Sequence, residues 1–155
     1  MGAEEHTRLW RDKTRVTIFG ESAGGASVHF HILTPKSEGL FSRAILQSGA
    51  ALCPWAVNRT PRKITHEVAN ILGCPTDQGS DSILVCLQGK EAADLALLYQ
   101  VAREWSILPN VFTPWVDGDY LPDHPAQLMR DGRHTEVDII AGVTRDEGPF
   151  LHWFH

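Results

Sequence analysis

Residues 16–26 read Val-Thr-Ile-Phe-Gly-Glu-Ser-Ala-Gly-Gly-Ala, and the change of pattern inside this stretch decides the architecture. Val16–Phe19 is a short β-branched, apolar run, as a buried strand requires. Gly20 breaks it, and Ala23–Leu33 then runs as a helix until Pro35. Between the two lies Gly20-Glu21-Ser22-Ala23-Gly24, a G-x-S-x-G pentapeptide. With Gly and Ser each near 7% of residues, chance supplies such a match in a chain of this length with a probability of roughly 0.05. The pentapeptide alone is therefore modest evidence, and its context carries more. A nucleophile elbow needs this pattern after a strand and at the opening of a helix. In that reading Ser22 sits in a strained turn, and the glycines two residues to either side remove Cβ atoms that would clash across it. The helix start then offers the Ala23 N–H to a developing oxyanion. The competing reading is a helix N-terminus at which Ser22 caps and the glycines pack.

Outward from this stretch, strand and helix alternate. Arg43–Gln47 reads as a second buried strand, closed by Ser48-Gly49. Thr60-Pro61 is a helix start, with Thr as N-cap and Pro at the first helical position. Ile64, Val68, Ile71 and Leu72 share one face, and Gly73 ends the helix. Asp81–Leu87 and Glu91–Tyr99 read as two further short helices separated by Gly89. Pro109–Pro122 is an irregular loop, Asp123–Arg130 a short helix stopped by Gly132, and Val137–Ala141 a third strand. Such alternation predicts an α/β fold with a mostly parallel sheet and flanking helices. A parallel sheet needs cover on both faces and a protected edge on each side. Three strands this apolar would expose sticky edges, so the pattern favours a segment of a larger sheet.

Composition narrows the class. The 155 residues are 43% hydrophobic and 21% charged, with a formal net charge of −5. That balance argues against a phosphate-neutralising surface, so no nucleic-acid partner is expected. No apolar run is long enough to span a bilayer, and no membrane span is expected. Met1–Thr14 has no apolar core of a signal peptide, and His6 occupies the slot that a myristoylation motif gives to Ser or Thr. The aromatic end Phe150–His155 looks like a chain cut in mid-element.

Val16–Ala26 resembles the active-serine segment of the type-B carboxylesterases, the family that includes cholinesterases and insect juvenile-hormone and detoxifying esterases. The likeness continues through Gly39–Ala56, Val116-Asp117-Gly118 and Gly142–Gly148, in family order, and its tone is insect-esterase-like. It covers 14–155 and leaves 1–13 as a divergent N-terminal segment, with Trp10–Thr14 in place of the family's Gly-Asp-Pro-Asn lead-in. The resemblance implies an α/β-hydrolase fold and hydrolysis of small carboxylic esters through an acyl-enzyme, with no cofactor and no metal. It makes Ser22 the nucleophile, Ala23 a backbone oxyanion donor, and Glu147 the triad acid, with Asp146 the rival next door. It puts Glu21 beside the nucleophile as a buried or semi-buried charge near the substrate, and Ser48 as a buried serine behind the triad. Trp55 contributes to the acyl pocket in this reading, or is plain core. It also implies a Cys74–Cys86 bridge, the alternative being two reduced thiols on adjacent helices, and leaves Cys53 unpaired. Asn58-Arg59-Thr60 is a glycosylation sequon, weakened by Pro61. A secreted or secretory-pathway protein is implied.

Two parts of the machinery are absent from the pattern. The triad order is Ser, acid, His, and His152 and His155 come too soon after Glu147 to fold back as the base. The Gly-rich loop that supplies further oxyanion donors lies upstream in the family, where Arg8–Lys13 here contains no glycine. Loss of the base costs on the order of 10⁶ in kcat, so the chain alone is expected to be inactive. His66-Glu67 opens a zinc-like H-E-x-x-H pattern but Asn70 stands at the second ligand position, and His29 and His31 point to different faces of a helix. Other readings are a non-catalytic binding or adhesion relative on the same fold, and an inactive truncated gene product.

Overall fold

The computed structural model describes residues 12–101 and 112–147, and within them the chain forms two compact units. Most of the segment 1–13 and the tail 150–155, with His152 and His155, lie outside the described residues. The first unit holds residues 12–57 and 116–147, the second 58–101 and 112–115.

The first unit is built on three parallel strands in the order β1 (Thr17–Glu21), β2 (Arg43–Gln47), β3 (Asp138–Gly142). Helix α1 (Ala23–Leu33) links β1 to β2 and runs over the boundaries read from the sequence. Its Gly25, Ala26, Val28, His29, Phe30, Ile32 and Leu33 are all buried, which explains why the helix is apolar nearly all round. One side packs Val28 and Ile32 on Ala44 and Leu46 of the sheet, with Ile18 and Phe41. The other side packs Ala26, Phe30 and Leu33 against Ala51, Ala56, Leu121 and Leu128. Leu128 belongs to α5 (Pro125–Arg130). Asp117 pins the chain that delivers Leu121: its carboxylate accepts N–H bonds from Asp119 at 3.0 Å and Leu121 at 2.9 Å.

Register shows what each sheet face carries. Phe19, Ile45 and Ile140 pair across the three strands on the face away from α1. Phe19 is 72% exposed and Ile140 68% exposed, so this apolar row is uncovered among the described residues. The row beside it carries Arg43 and Asp138, paired at 3.7 Å. A parallel sheet needs cover on both faces, and among the described residues α1 supplies one of them.

The second unit contains α2 (Pro61–Ile71), α3 (Ser80–Gln88) and α4 (Ala92–Val101). Thr60 is the N-cap of α2 but makes no side-chain capping bond; its N–H is taken by Asn58 Oδ1 at 2.9 Å, which uses up the turn geometry instead. Val68 and Ala69 are the buried positions of α2, while Ile71 is exposed, because the small core of this unit forms around Ala69, Cys74 and Ile83. Cys74 and Cys86 are joined by a disulfide, which rules out the reduced pair. Closing a loop of this size stabilises a fold by about 3 kcal/mol in the chain-entropy account. Cys53 is unpaired and half-buried in the first unit.

Candidate active site

In a parallel sheet the carboxyl ends of the strands all lie at one edge, which is where crevices for ligands form. Every polar feature of the candidate site stands there. β1 ends at Glu21 and α1 begins at Ala23, so Ser22 has to reverse the chain in one residue. It does so at φ +54°, ψ −116°, a region that an L-residue enters only under strain. Its N–H is fixed to the Gln47 carbonyl at the end of β2 at 2.8 Å. Its carbonyl accepts the first intrahelical bond, from Ala26 at 3.1 Å, and the N–H groups from Ala23 to Gly25 precede it. Ser22 stands at the N-cap position yet makes no side-chain capping bond, and it is exposed. The hydroxyl is not spent on the helix, so capping does not explain the serine.

The same construction recurs one strand over. Ser48 comes directly after β2, also at φ +54°, and its N–H is fixed to the Gly142 carbonyl at the end of β3 at 2.8 Å. Ser48 is half-buried rather than buried, because it lies at the sheet edge and not under it. Its side chain acts on the Glu147 carboxylate, and Thr144 N–H donates to Glu147 Oε1 at 3.2 Å. The Ser48 bond, then the Thr144 bond, hold this carboxyl below the usual carboxylate range. Asp146 is exposed and pairs with Arg145 at 3.9 Å, so the structure ties Glu147 rather than Asp146 to the strand ends.

The glycines divide differently from the sequence reading. A Cβ at Gly20 would be driven into the backbone of Gly24, as expected. A Cβ at Gly24 would meet nothing within 4 Å. The second close approach is at Gly25, where a Cβ would stand 2.8 Å from the Gly49 carbonyl oxygen and 3.0 Å from that of Gln47. The third is at Gly49, where it would be driven into the Ser22 carbonyl. Gly25 and Gly49 were missed because their neighbours are distant in sequence; the Ser-Gly pair closing β2 was the available signal.

One expectation is corrected by position. Glu21 is exposed, not buried or semi-buried, since it ends an edge strand on the face away from α1. Trp55 is half-buried and packs against the cluster of Ala26, Phe30, Leu33 and Leu121. Three histidines are engaged elsewhere: His29 with Ala51, His31 with Ser37 and Tyr120, His124 with Ala126.

A strained, exposed serine thus stands between a strand and a helix, with a carboxylate fixed at the neighbouring strand ends. Comparison with known proteins places this geometry in a family. The model of the Carboxylesterase family matches residues 11–154. The chain belongs to this family. Over 144 residues it is 37% identical to Cholinesterase 2 of Branchiostoma lanceolatum, covering 90% of the chain and 42% of the relative. It is 39% identical over 141 residues to the Bile salt-activated lipase of Bos taurus, covering 88% of the chain and 23% of the relative. It is 40% identical over 145 residues to the Acetylcholinesterase of Bungarus fasciatus, again 88% and 23%. The chain thus spans less than half the length of these relatives. Its three parallel strands and flanking helices are those of a carboxylesterase α/β-hydrolase fold over the matched span.

Proposed function

We propose that this carboxylesterase-family segment carries the nucleophile and acid of a serine hydrolase acting on small carboxylic esters. Ser22 Oγ attacks the ester carbonyl, the carbonyl oxygen takes the negative charge, and collapse expels the alcohol to leave an acyl-serine. The Ala23 N–H, at the unsatisfied start of α1, donates to that oxygen. Glu147 holds the imidazolium form of a histidine base, which it does best as a carboxylate. The Ser48 and Thr144 bonds keep it in that form. Glu21 is a charge on the substrate side, next to the nucleophile and exposed.

The base does not come from His29, His31 or His124, whose rings are engaged elsewhere. We assign turnover to a longer protein containing this segment, in line with the 42% and 23% of its relatives that it spans. The 155-residue chain alone is inactive in this reading. A secretory compartment is part of the proposal, because a disulfide persists where the surroundings are oxidising. A glycan at Asn58 belongs to it as well.

The observation that carries the reading is Ser22 itself, held at φ +54° with its hydroxyl not spent on capping. Labelling native extract with a fluorophosphonate probe, then identifying the modified peptide by mass, tests it. Labelling of Ser22 in a protein much heavier than 17.2 kDa is the expected result. Labelling at that mass overturns the claim that the chain alone is inactive. A peptide present and never labelled favours the binding-protein alternative, and the catalytic reading is then withdrawn.

A further inference from the structure

His29 lies in the middle of α1 and is 9% exposed, a buried titratable group that the esterase chemistry does not use. Its Nδ1 accepts the N–H of Ala51 at 3.2 Å. A ring nitrogen accepts only when it carries no proton, so this bond fixes the neutral tautomer with its hydrogen on Nε2. Ala51 is itself fully buried, and it stands three residues after Ser48 and two after Gly49. Gly49 packs on the Ser22 carbonyl, and Ser48 lowers the pKa of Glu147. One imidazole therefore ties the helix that begins at the nucleophile to the turn that carries the acid's partner.

We infer that His29 is a positioning residue, an acid-labile latch that holds α1 to the 48–51 turn while its ring is neutral and releases that turn when the ring is protonated. In the protonated ring both nitrogens are donors, so the Ala51 N–H would face an N–H and the bond cannot persist. The ionisable side chains on the packed elements are Glu21 on β1, Arg43 on β2, Lys36 on the 3-10 turn Pro35–Ser37, Arg130 on α5, and His31 on α1 itself. His134, just beyond α5, is the one whose charge acts on His29 among the described residues, and it opposes a second proton. Burial first, and His134 second, place the His29 pKa below the ordinary histidine range. Stability from neutral His29 is therefore complete above the unfolded value of about 6.5. It is lost as pH falls from there through the folded value.

The effect on catalysis rests on the catalytic roles proposed for Ser22 and Glu147, but the latch does not, and it is tested without turnover. Backbone hydrogen exchange of residues 48–53 in the 155-residue chain, corrected for intrinsic rates, is measured between pH 7.5 and 5 alongside ring nitrogen-15 shifts of His29. The expected result is that protection at Ala51 falls about tenfold as the ring titrates, the scale of one lost buried hydrogen bond. His29→Asn puts an amide oxygen near the Nδ1 position; it should keep the protection and lose the acid limb. His29→Leu should lose the protection at every pH. Protection that stays flat while the ring titrates overturns the latch, as does an acid limb that survives in His29→Asn. If either variant does not fold, the wild-type ring decides: a proton found on Nδ1 at pH 7.5 ends the proposal. A working latch with an unlabelled Ser22 would refute the esterase reading alone.

Discussion

Ser22 and Ser48 are the same backbone device built twice. Each ends a parallel strand, each turns at φ +54°, and each fixes its N–H to the carbonyl that ends the next strand. They differ in the element that each one opens. After Ser22 the chain enters a helix, so the hydroxyl stands at a cluster of unsatisfied N–H groups without capping any of them. After Ser48 it enters the 49–56 turns, and the side chain lowers the pKa of Glu147 instead. Strain at a strand end thus says where a side chain is presented. The next element decides whether that side chain is left reactive or used as support.

The largest break in this comparison comes from the glycine between the two turns. Gly49→Ala drives a methyl into the Ser22 carbonyl and should cost about 3 kcal/mol or more, read as a shift in the urea unfolding midpoint. A loss below about 1 kcal/mol would show that the two turns are not packed on each other. Ser22→Gly relieves the strained φ and ψ without forfeiting a capping bond, so it should stabilise the fold by about 1 kcal/mol in the same assay. In the longer protein it should also abolish fluorophosphonate labelling. Equal stabilisation by Ser48→Gly would erase the distinction between the turns, since that variant gives up the side chain that acts on Glu147.

Ser48→Ala sharpens the comparison through pH. Glu147 is more acidic when folded than the ordinary carboxylate. It therefore contributes stability above the unfolded carboxylate value, and that contribution is lost as pH falls through the folded value. Removing the Ser48 hydroxyl should move the Glu147 titration upward, tracked by carboxyl carbon-13 shifts, and flatten this acid limb. An unmoved titration would mean that Ser48 and Glu147 are not partners. The smallest effect belongs to Gly24→Ala, where a Cβ meets nothing. It should alter stability by no more than about 0.5 kcal/mol, against a loss of about 1–3 kcal/mol for Gly25→Ala.

These contrasts show which parts of the molecule could be read from the chain. Ala23–Leu33 and Arg43–Gln47 have the bounds expected of them, because Pro35 and Ser48-Gly49 stop them locally. The third strand is shifted by one residue, to Asp138–Gly142, since its end is set by pairing with Arg43–Gln47 and not by a local stop. Gly25 and Gly49 were illegible for a related reason. Their crowding is with backbone more than twenty residues away, and no local pattern encodes it. Glu21 was expected buried beside the nucleophile, but burial depends on what covers an edge strand, which its own sequence does not state. The Asp117 carboxylate, by contrast, acts on the next four residues, and Val-Asp-Gly marks it plainly.

The strand order has a consequence in time. β1, α1 and β2 are contiguous, so the turn at Ser22 can close as soon as Gln47 has been made. β3, which brings Glu147, comes roughly ninety residues later, and the described residues 58–101 and 112–115 between them form a unit of their own. At a ribosomal speed of about 5–20 residues per second, that gap is on the order of 5–20 s. For that interval the nascent chain can bend its serine into shape while the carboxylate has yet to be synthesised. The elbow is cocked before it can be armed, and docking of the β3 strand is the event that brings its acid to it.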